Sequence, residues 1–110
     1  VQWRLNNPER QRRNARARHL LRTFGLTEER FAAMLAEQDG HCAICPADQP
    51  GGSGTWHIDH DRRCCPGTRS CGQCVRRLLC SNCNRGLGHF RDDPALLRAA
   101  ADYLEGASVR

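Results

Sequence analysis

The chain has 110 residues, enough for one domain, and only 39% of them are apolar, with three Phe, two Trp and one Tyr; a core of that content is close to the smallest that stands alone. All seventeen basic residues are Arg and the formal charge is +5, which favours a polyanionic partner. No apolar run approaches a membrane span and no signal peptide is read at the start, so the eight Cys are expected to be metal-bound thiolates of a cytoplasmic protein rather than disulfides.

The charge is blocked. Residues 1–26 carry seven Arg against Glu9, residues 62–91 carry seven Arg against no acid, and residues 27–61 hold seven acids and one Arg. Arg-rich faces are often merely solvated. Two blocks, one of them beside a Cys/His/Asp cluster, point instead to phosphate contacts, which counterion release rewards.

In chain order, residues 8–23 predict a helix with Pro8 near the first turn and Gly25 just past the end. Its apolar content is thin (Ala15, Ala17, Leu20, Leu21, Phe24), so it reads as an Arg-lined helix or arm on DNA or on a second subunit. Thr27 is the expected N-cap of a second helix with Glu28 and Glu29 in its first turn, Phe31, Met34 and Leu35 facing the core and Gly40 at its end. His41 reads as structural. Then comes Cys42-Ala43-Ile44-Cys45, and a turn-rich loop over residues 46–55 in which no chemistry is expected.

Trp56-His57-Ile58-Asp59-His60 predicts a short strand. Period-two alternation puts Trp56, Ile58 and His60 on one face and His57 and Asp59 on the other, unless a bend brings Asp59 and His60 together. Asp is depleted in strands and His is a poor core former. A carboxylate suits a hard divalent ion, and a neutral imidazole can take a proton from water near pH 7.

Arg62-Arg63-Cys64-Cys65-Pro66-Gly67-Thr68-Arg69-Ser70-Cys71-Gly72-Gln73-Cys74 adds four cysteines. Cys64, Cys65, Cys71 and Cys74 can form a second four-thiolate site, the preferred reading. Cys71 and Cys74 can also pair with Cys80 and Cys83, and disulfides or free thiols are further options; adjacent Cys64 and Cys65 point different ways in most backbones. Val75-Arg76-Arg77-Leu78-Leu79 leads into Cys80-Ser81-Asn82-Cys83, and two C-x-x-C turns are the spacing of a structural zinc site. Residues 84–90 predict a helix beginning near Asn84. Asp93 and Pro94 open a last helix through Leu104, with Leu96, Leu97, Ala100, Tyr103 and Leu104 as its packing face. The tail from Gly106 should fray.

Cys42-x-x-Cys45, Ile58-Asp59-His60-Asp61 and Leu78-Leu79-Cys80-x-x-Cys83-Asn84 together resemble the recombination endonuclease VII family of HNH (ββα-metal) nucleases, over about residues 24–104. The resemblance implies an α+β, mostly helical fold, with a small zinc-stapled ββα-metal core flanked by N- and C-terminal helices. Residues 1–26 would be a basic helix or arm, 27–105 the endonuclease-like domain and 106–110 a tail. It implies a structural zinc on Cys42, Cys45, Cys80 and Cys83, a catalytic Mg²⁺ or Mn²⁺ on Asp59 and Asn84, and His60 as general base for hydrolysis of phosphodiester bonds. His57, Arg62, Arg76 and Arg85 are candidate phosphate contacts. The family's namesake enzyme has a second His where this chain has Arg62, which can hold a phosphate but no cation, and an acid near Leu87. DNA, duplex or branched, is the expected partner, and a homodimer would suit a branched substrate. A zinc-stapled DNA-binding module without catalysis is the alternative. Arg in place of every Lys fits a GC-rich genome, such as that of an actinobacterium or its phage.

Overall fold

The computed structural model describes residues 7–106. Among the described residues four helices and two strands follow in the order α1 (Pro8–Phe24), α2 (Glu28–Glu37), β1 (His57–His60), β2 (Val75–Leu79), α3 (Ser81–His89) and α4 (Pro94–Leu104), an α+β fold that is mostly helical. The expected features of residues 1–6 and 107–110, including most of the fraying tail, lie outside the described residues.

The helix ends follow local chemistry. The Asn7 side chain accepts from the Arg10 N–H at 3.1 Å, Pro8 occupies the first turn, and Gly25 closes α1 in the left-handed conformation at φ 68°, where a Cβ would be penalised. Thr27 caps α2 through the Arg30 N–H at 3.1 Å. Gln38 caps its other end, and positive φ at Asp39 (56°) and Gly40 (76°) turns the chain away. Asp93 caps α4 through the Ala95 N–H at 2.9 Å, with Pro94 at the first position.

β1 and β2 form an antiparallel hairpin in which His57 faces Leu79, Ile58 faces Leu78 and His60 faces Val75, with a register irregularity between Ile58 and His60. Two steps of β1 there match three of β2, so Arg76 and Arg77 oppose the single Asp59 and the extra residue lies in β2, as with bulges beside functional sites. The strand begins at His57, so Trp56 precedes it. β2 was not foreseen from its residues as a strand, because Arg76 and Arg77 break its apolar pattern; both are exposed while Leu78 and Leu79 are buried.

The Gln38 amide takes the place of a missing neighbour strand. It accepts from the Leu78 N–H at 2.9 Å and donates to the Leu78 carbonyl at 3.0 Å and to the His41 carbonyl at 2.9 Å. A buried edge thus keeps its backbone groups paired. Leu26, Met34 and Leu78 form one core cluster, with Phe24, Phe31, Leu35, Trp56, Ile58 and Val75 packed around it. Cys42, Leu79 and Cys80 form a second, which Trp56, Leu87 and Cys83 border. Trp56 joins the two.

Two expectations are corrected. α3 starts at Ser81, three residues before Asn84, because Cys80 itself is the N-cap and its sulfur accepts from the Cys83 N–H at 3.5 Å. The expected packing face of α4 is not covered: Leu96, Tyr103 and Leu104 are 41%, 67% and 82% exposed. Residues 8–16 of α1 are likewise exposed throughout, and the molecule extends 73 × 28 × 22 Å.

Candidate metal centres and catalytic cleft

Among the described residues two cysteine tetrads stand out, Cys42 with Cys45, Cys80 and Cys83, and Cys64 with Cys65, Cys71 and Cys74, each with its sulfurs within 4.8 Å of one another. Sulfurs about 2.3 Å from a tetrahedral zinc lie about 3.8 Å apart. The Cys45 and Cys80 sulfurs are 3.6 Å apart, and the Cys64 sulfur is 3.8 Å from that of Cys71 and 4.0 Å from that of Cys65. Both tetrads could hold zinc. The alternative grouping of Cys71 and Cys74 with Cys80 and Cys83 does not form.

The first tetrad welds the start of α3 to the turn after α2. Ile44 N–H and Cys80 N–H both donate to the Cys42 sulfur at 3.4 Å. Burial acts against the Cys42 thiolate, but the N–H groups of Cys45, Cys80 and Ile44 outweigh it and bring its pKa down to about 6. Burial, with the neighbouring sulfurs, pushes Cys83 up.

The second tetrad sits on the loop between the strands. Cys64 and Cys65 reach one site because a tight bend precedes them: both N–H groups donate to the Asp61 carbonyl, at 3.1 and 3.2 Å. Arg63 braces that bend, its guanidinium and backbone N–H donating to the Asp61 carboxylate at 2.9 to 3.1 Å. The Arg63 side chain, then its N–H, hold the Asp61 carboxyl down at about 2. The Gln73 N–H brings Cys71 down to about 7, the Ser70 hydroxyl lowers Cys74, and hydrogen bonding to Cys71 and Cys74 pushes Cys64 up to about 12.

Between α1 and β1 lies a cleft of about 750 Å³ whose walls include His57, Asp59, His60, Arg62 and Asn84. The structure thus brings the expected catalytic trio and two of the expected phosphate contacts to one place. His60 is only 4% exposed, and its Nε2 lies 3.0 Å from the carbonyl oxygens of both Cys65 and Gly67. Carbonyls only accept, so Nε2 carries the proton and Nδ1 is left as the basic atom. Asn84 Nδ2 donates to His57 Nδ1 at 3.3 Å, which leaves the Asn84 Oδ1 oxygen to other partners.

Asp59 is engaged by Arg76, whose Nε and Nη2 donate to its two oxygens at 2.6 and 3.0 Å. The other expected phosphate contacts also have partners: Arg62 Nη1 donates to Asp92 at 3.1 Å, and Arg85 Nη2 to the Asn82 side chain at 3.0 Å. Leu87 packs on the first tetrad's cluster.

Sequence reasoning missed the opposite wall. Arg16 and His19 of α1 line the cleft, Arg16 lying over the Phe31 ring at 5.3 Å and 3.7 Å from Glu28. The signal was there: Arg12, Arg16, His19 and Leu20 recur at helical spacing, and Leu20 is the buried residue of α1. Gly54 and Thr55 also border the cleft, in a loop from which nothing was expected.

Comparison with known proteins places these residues in context. The chain is 36% identical over 86 residues to the Gene 59 protein of Mycobacterium phage D29, which covers 77% of the chain and 47% of the phage protein. It is 31% identical over 86 residues to the Gene 59 protein of Mycobacterium phage L5, with the same coverage. The chain therefore spans about half the length of these curated relatives. No solved structure matches. Residues 17–106 match the family described as recombination endonuclease VII, a span that takes in both tetrads, the cleft and most of its α1 wall, so the chain belongs to the recombination endonuclease VII family.

Proposed function

We propose that the chain is a metal-dependent DNA endonuclease of the HNH type that hydrolyses phosphodiester bonds of duplex or branched DNA, with His60 as general base. The observation that carries this reading is the His60 ring, whose Nε2 is fixed on the Cys65 and Gly67 carbonyls at 3.0 Å in the cleft that Asp59 and Asn84 also line. A neutral imidazole so oriented takes a proton from water at Nδ1.

One carboxylate, from Asp59, and one amide oxygen, from Asn84, suit a hard ion that keeps several waters and takes its remaining ligands from a phosphate. A bound Mg²⁺ or Mn²⁺ supplies neutralisation of the charge that develops on the phosphate and the leaving 3′ oxygen. His57 orients the Asn84 amide. Arg62, at the cleft wall, and exposed Arg85 exchange their present partners for substrate phosphates, and Arg16 from α1 adds a third guanidinium. Cys42, Cys45, Cys80 and Cys83 hold structural zinc, and two clefts of a homodimer would suit a four-way junction.

The test is cleavage of plasmid, linear and four-way-junction DNA with Mg²⁺ or Mn²⁺ by wild type and His60→Ala. Loss of about 100- to 10,000-fold in rate with DNA binding retained is expected; undiminished cutting would rule out His60 as the base. One observation favours the alternative of a DNA-binding module without catalysis, namely that Arg76 already neutralises both Asp59 oxygens. DNA binding by wild type without cleavage of any of the three substrates would decide for it.

A further inference from the structure

We propose that Cys64, Cys65, Cys71 and Cys74 bind a second structural zinc, and that this ion fixes the loop whose backbone carbonyls orient His60. The second half of this inference rests on the reading of His60 as the base; the first does not.

The loop between His60 and Val75 has few means of its own to hold a shape. It contains no helix or strand, and Ser70 is its one buried residue. Irregular segments of this length inside a small domain are usually either functional or held by something else. Its anchors to other elements lie towards its two ends: exposed Arg62 pairs with Asp92 at 3.1 Å, the Ser70 N–H donates to the Thr23 carbonyl at 2.8 Å, and Gly72 lies against Gly25, with a Cβ on Gly72 falling 2.7 Å from the Gly25 carbonyl oxygen. Nothing comparable in apolar packing supports the stretch that carries Cys65 and Gly67.

The four sulfurs supply what is missing, and they repeat part of the local design of the first tetrad. In Cys42-x-x-Cys45 the N–H two residues on, that of Ile44, donates to the leading sulfur. In Cys71-x-x-Cys74 the trailing sulfur is the one held locally, 3.2 Å from the Ser70 hydroxyl. In the first tetrad an N–H from the second chain segment crosses to the other pair, Cys80 to the Cys42 sulfur at 3.4 Å. In the second the Cys71 N–H crosses to the Cys65 sulfur at 3.3 Å. Sulfurs that accept backbone N–H bonds are stabilised as thiolates, the form that ligates zinc. The separations of 3.8 and 4.0 Å match edges of a tetrahedral S₄ site of about 3.8 Å.

The consequence for the cleft is direct. Cys65 is at once a ligand and the owner of a carbonyl that accepts from His60 Nε2, and Gly67, which owns the other, follows two residues later. Outer partners of this kind commonly contribute 10- to 100-fold to a site's activity or metal affinity, a range of about that size. His60 is thereby tied to an ion it does not touch. Cys64, Cys65, Cys71 and Cys74 are positioning residues in this scheme.

The experiment counts zinc per chain by atomic emission in the full chain, wild type beside Cys64→Ser and Cys71→Ser, and records ¹⁵N shifts of the His60 ring. Wild type is expected to carry two zinc ions, and each variant one. The His60 shifts should show a fixed Nε2–H tautomer in wild type and an average of both tautomers in the variants, with a cleavage rate lower by about 10- to 100-fold. One zinc per chain in wild type, or two in either variant, overturns the site. A lost zinc with unchanged His60 shifts overturns the positioning role. If a variant does not fold, the wild-type count still decides the site, and Cys74→Ser replaces it for the ring measurement. Neither the zinc count nor the ring shifts require cleavage, so a chain without nuclease activity leaves both questions answerable.

Discussion

Arg76 and Asp59 face each other across the hairpin as a fork-to-fork pair, with Nε and Nη2 of the guanidinium at 2.6 and 3.0 Å from the two carboxylate oxygens. The carboxylate is the better buried partner, its side chain 11% exposed against 44% for Arg76. The arginine therefore stands where a divalent ion would have to share or displace it. Arg76→Ala should tighten Mn²⁺ binding in the absence of DNA by about 3- to 10-fold, the equivalent of one partly exposed charge-assisted pair. Titration calorimetry measures this directly. Weaker binding in the variant would mean that Arg76 aims the carboxylate rather than competing for it.

His57 should act through Asn84. Its Nδ1 accepts from Asn84 Nδ2 at 3.3 Å, which sets which end of the amide is presented as an oxygen. His57→Ala should raise the Mg²⁺ concentration needed for half-maximal cleavage by about 10-fold, the lower end for an outer partner of a metal ligand, and change the rate at saturating Mg²⁺ much less. A rate loss that excess Mg²⁺ does not relieve would instead give His57 a direct contact with substrate.

Gln38→Leu tests the capped edge of β2. The Leu78 N–H loses its partner and the His41 carbonyl its Gln38 donor, while the Leu78 carbonyl keeps the Ala43 N–H at 3.2 Å. Leaving one buried donor unpaired costs about 1–3 kcal/mol, a fall in Tm of roughly 5–20 °C for a domain of this size. A loss under about 0.5 kcal/mol would show that water enters and replaces the amide.

Gly72→Ala and Gly67→Ala form a matched pair. At Gly72 the backbone is at φ 91° and a Cβ meets the Gly25 carbonyl at 2.7 Å, whereas at Gly67 a Cβ meets nothing within 4 Å. The first substitution should cost about 1–3 kcal/mol and the second close to none. Thermal unfolding of the zinc-loaded proteins compares them. Equal stability would mean that the contact between the loop and the end of α1 contributes little.

Elements specified by adjacent residues were legible in the sequence. Gly25, Thr27 and the Asp93–Pro94 pair each act within one helical turn, and each sits at the expected boundary. β2 was not, because its strand character comes from Ile58 on one side and from Gln38, forty positions away, on the other. The start of α3 was missed because Cys80 caps it with sulfur, where Ser, Thr, Asn or Asp is the usual signal. The candidate site was legible as a set of residue types, but the pairings of Arg76 with Asp59 and His57 with Asn84 depend on a hairpin register that includes an irregularity at Asp59. The exposed face of α4 shows the opposite limit: periodicity identified an apolar stripe but could not say whether this chain covers it.

Cys80 caps α3, and Asn84, whose N–H returns to the Cys80 carbonyl at 3.0 Å, lies one residue past Cys83. The turn that closes the first thiolate cage is thus the same turn that aims one of the cleft's polar side chains. With zinc in that cage, as the proposed function has it, an unmetallated chain would lack both at once. On the nuclease reading this works as a safety catch: a freshly made or zinc-starved molecule would be inert toward DNA rather than weakly and indiscriminately active, and competence would arrive in one step with folding.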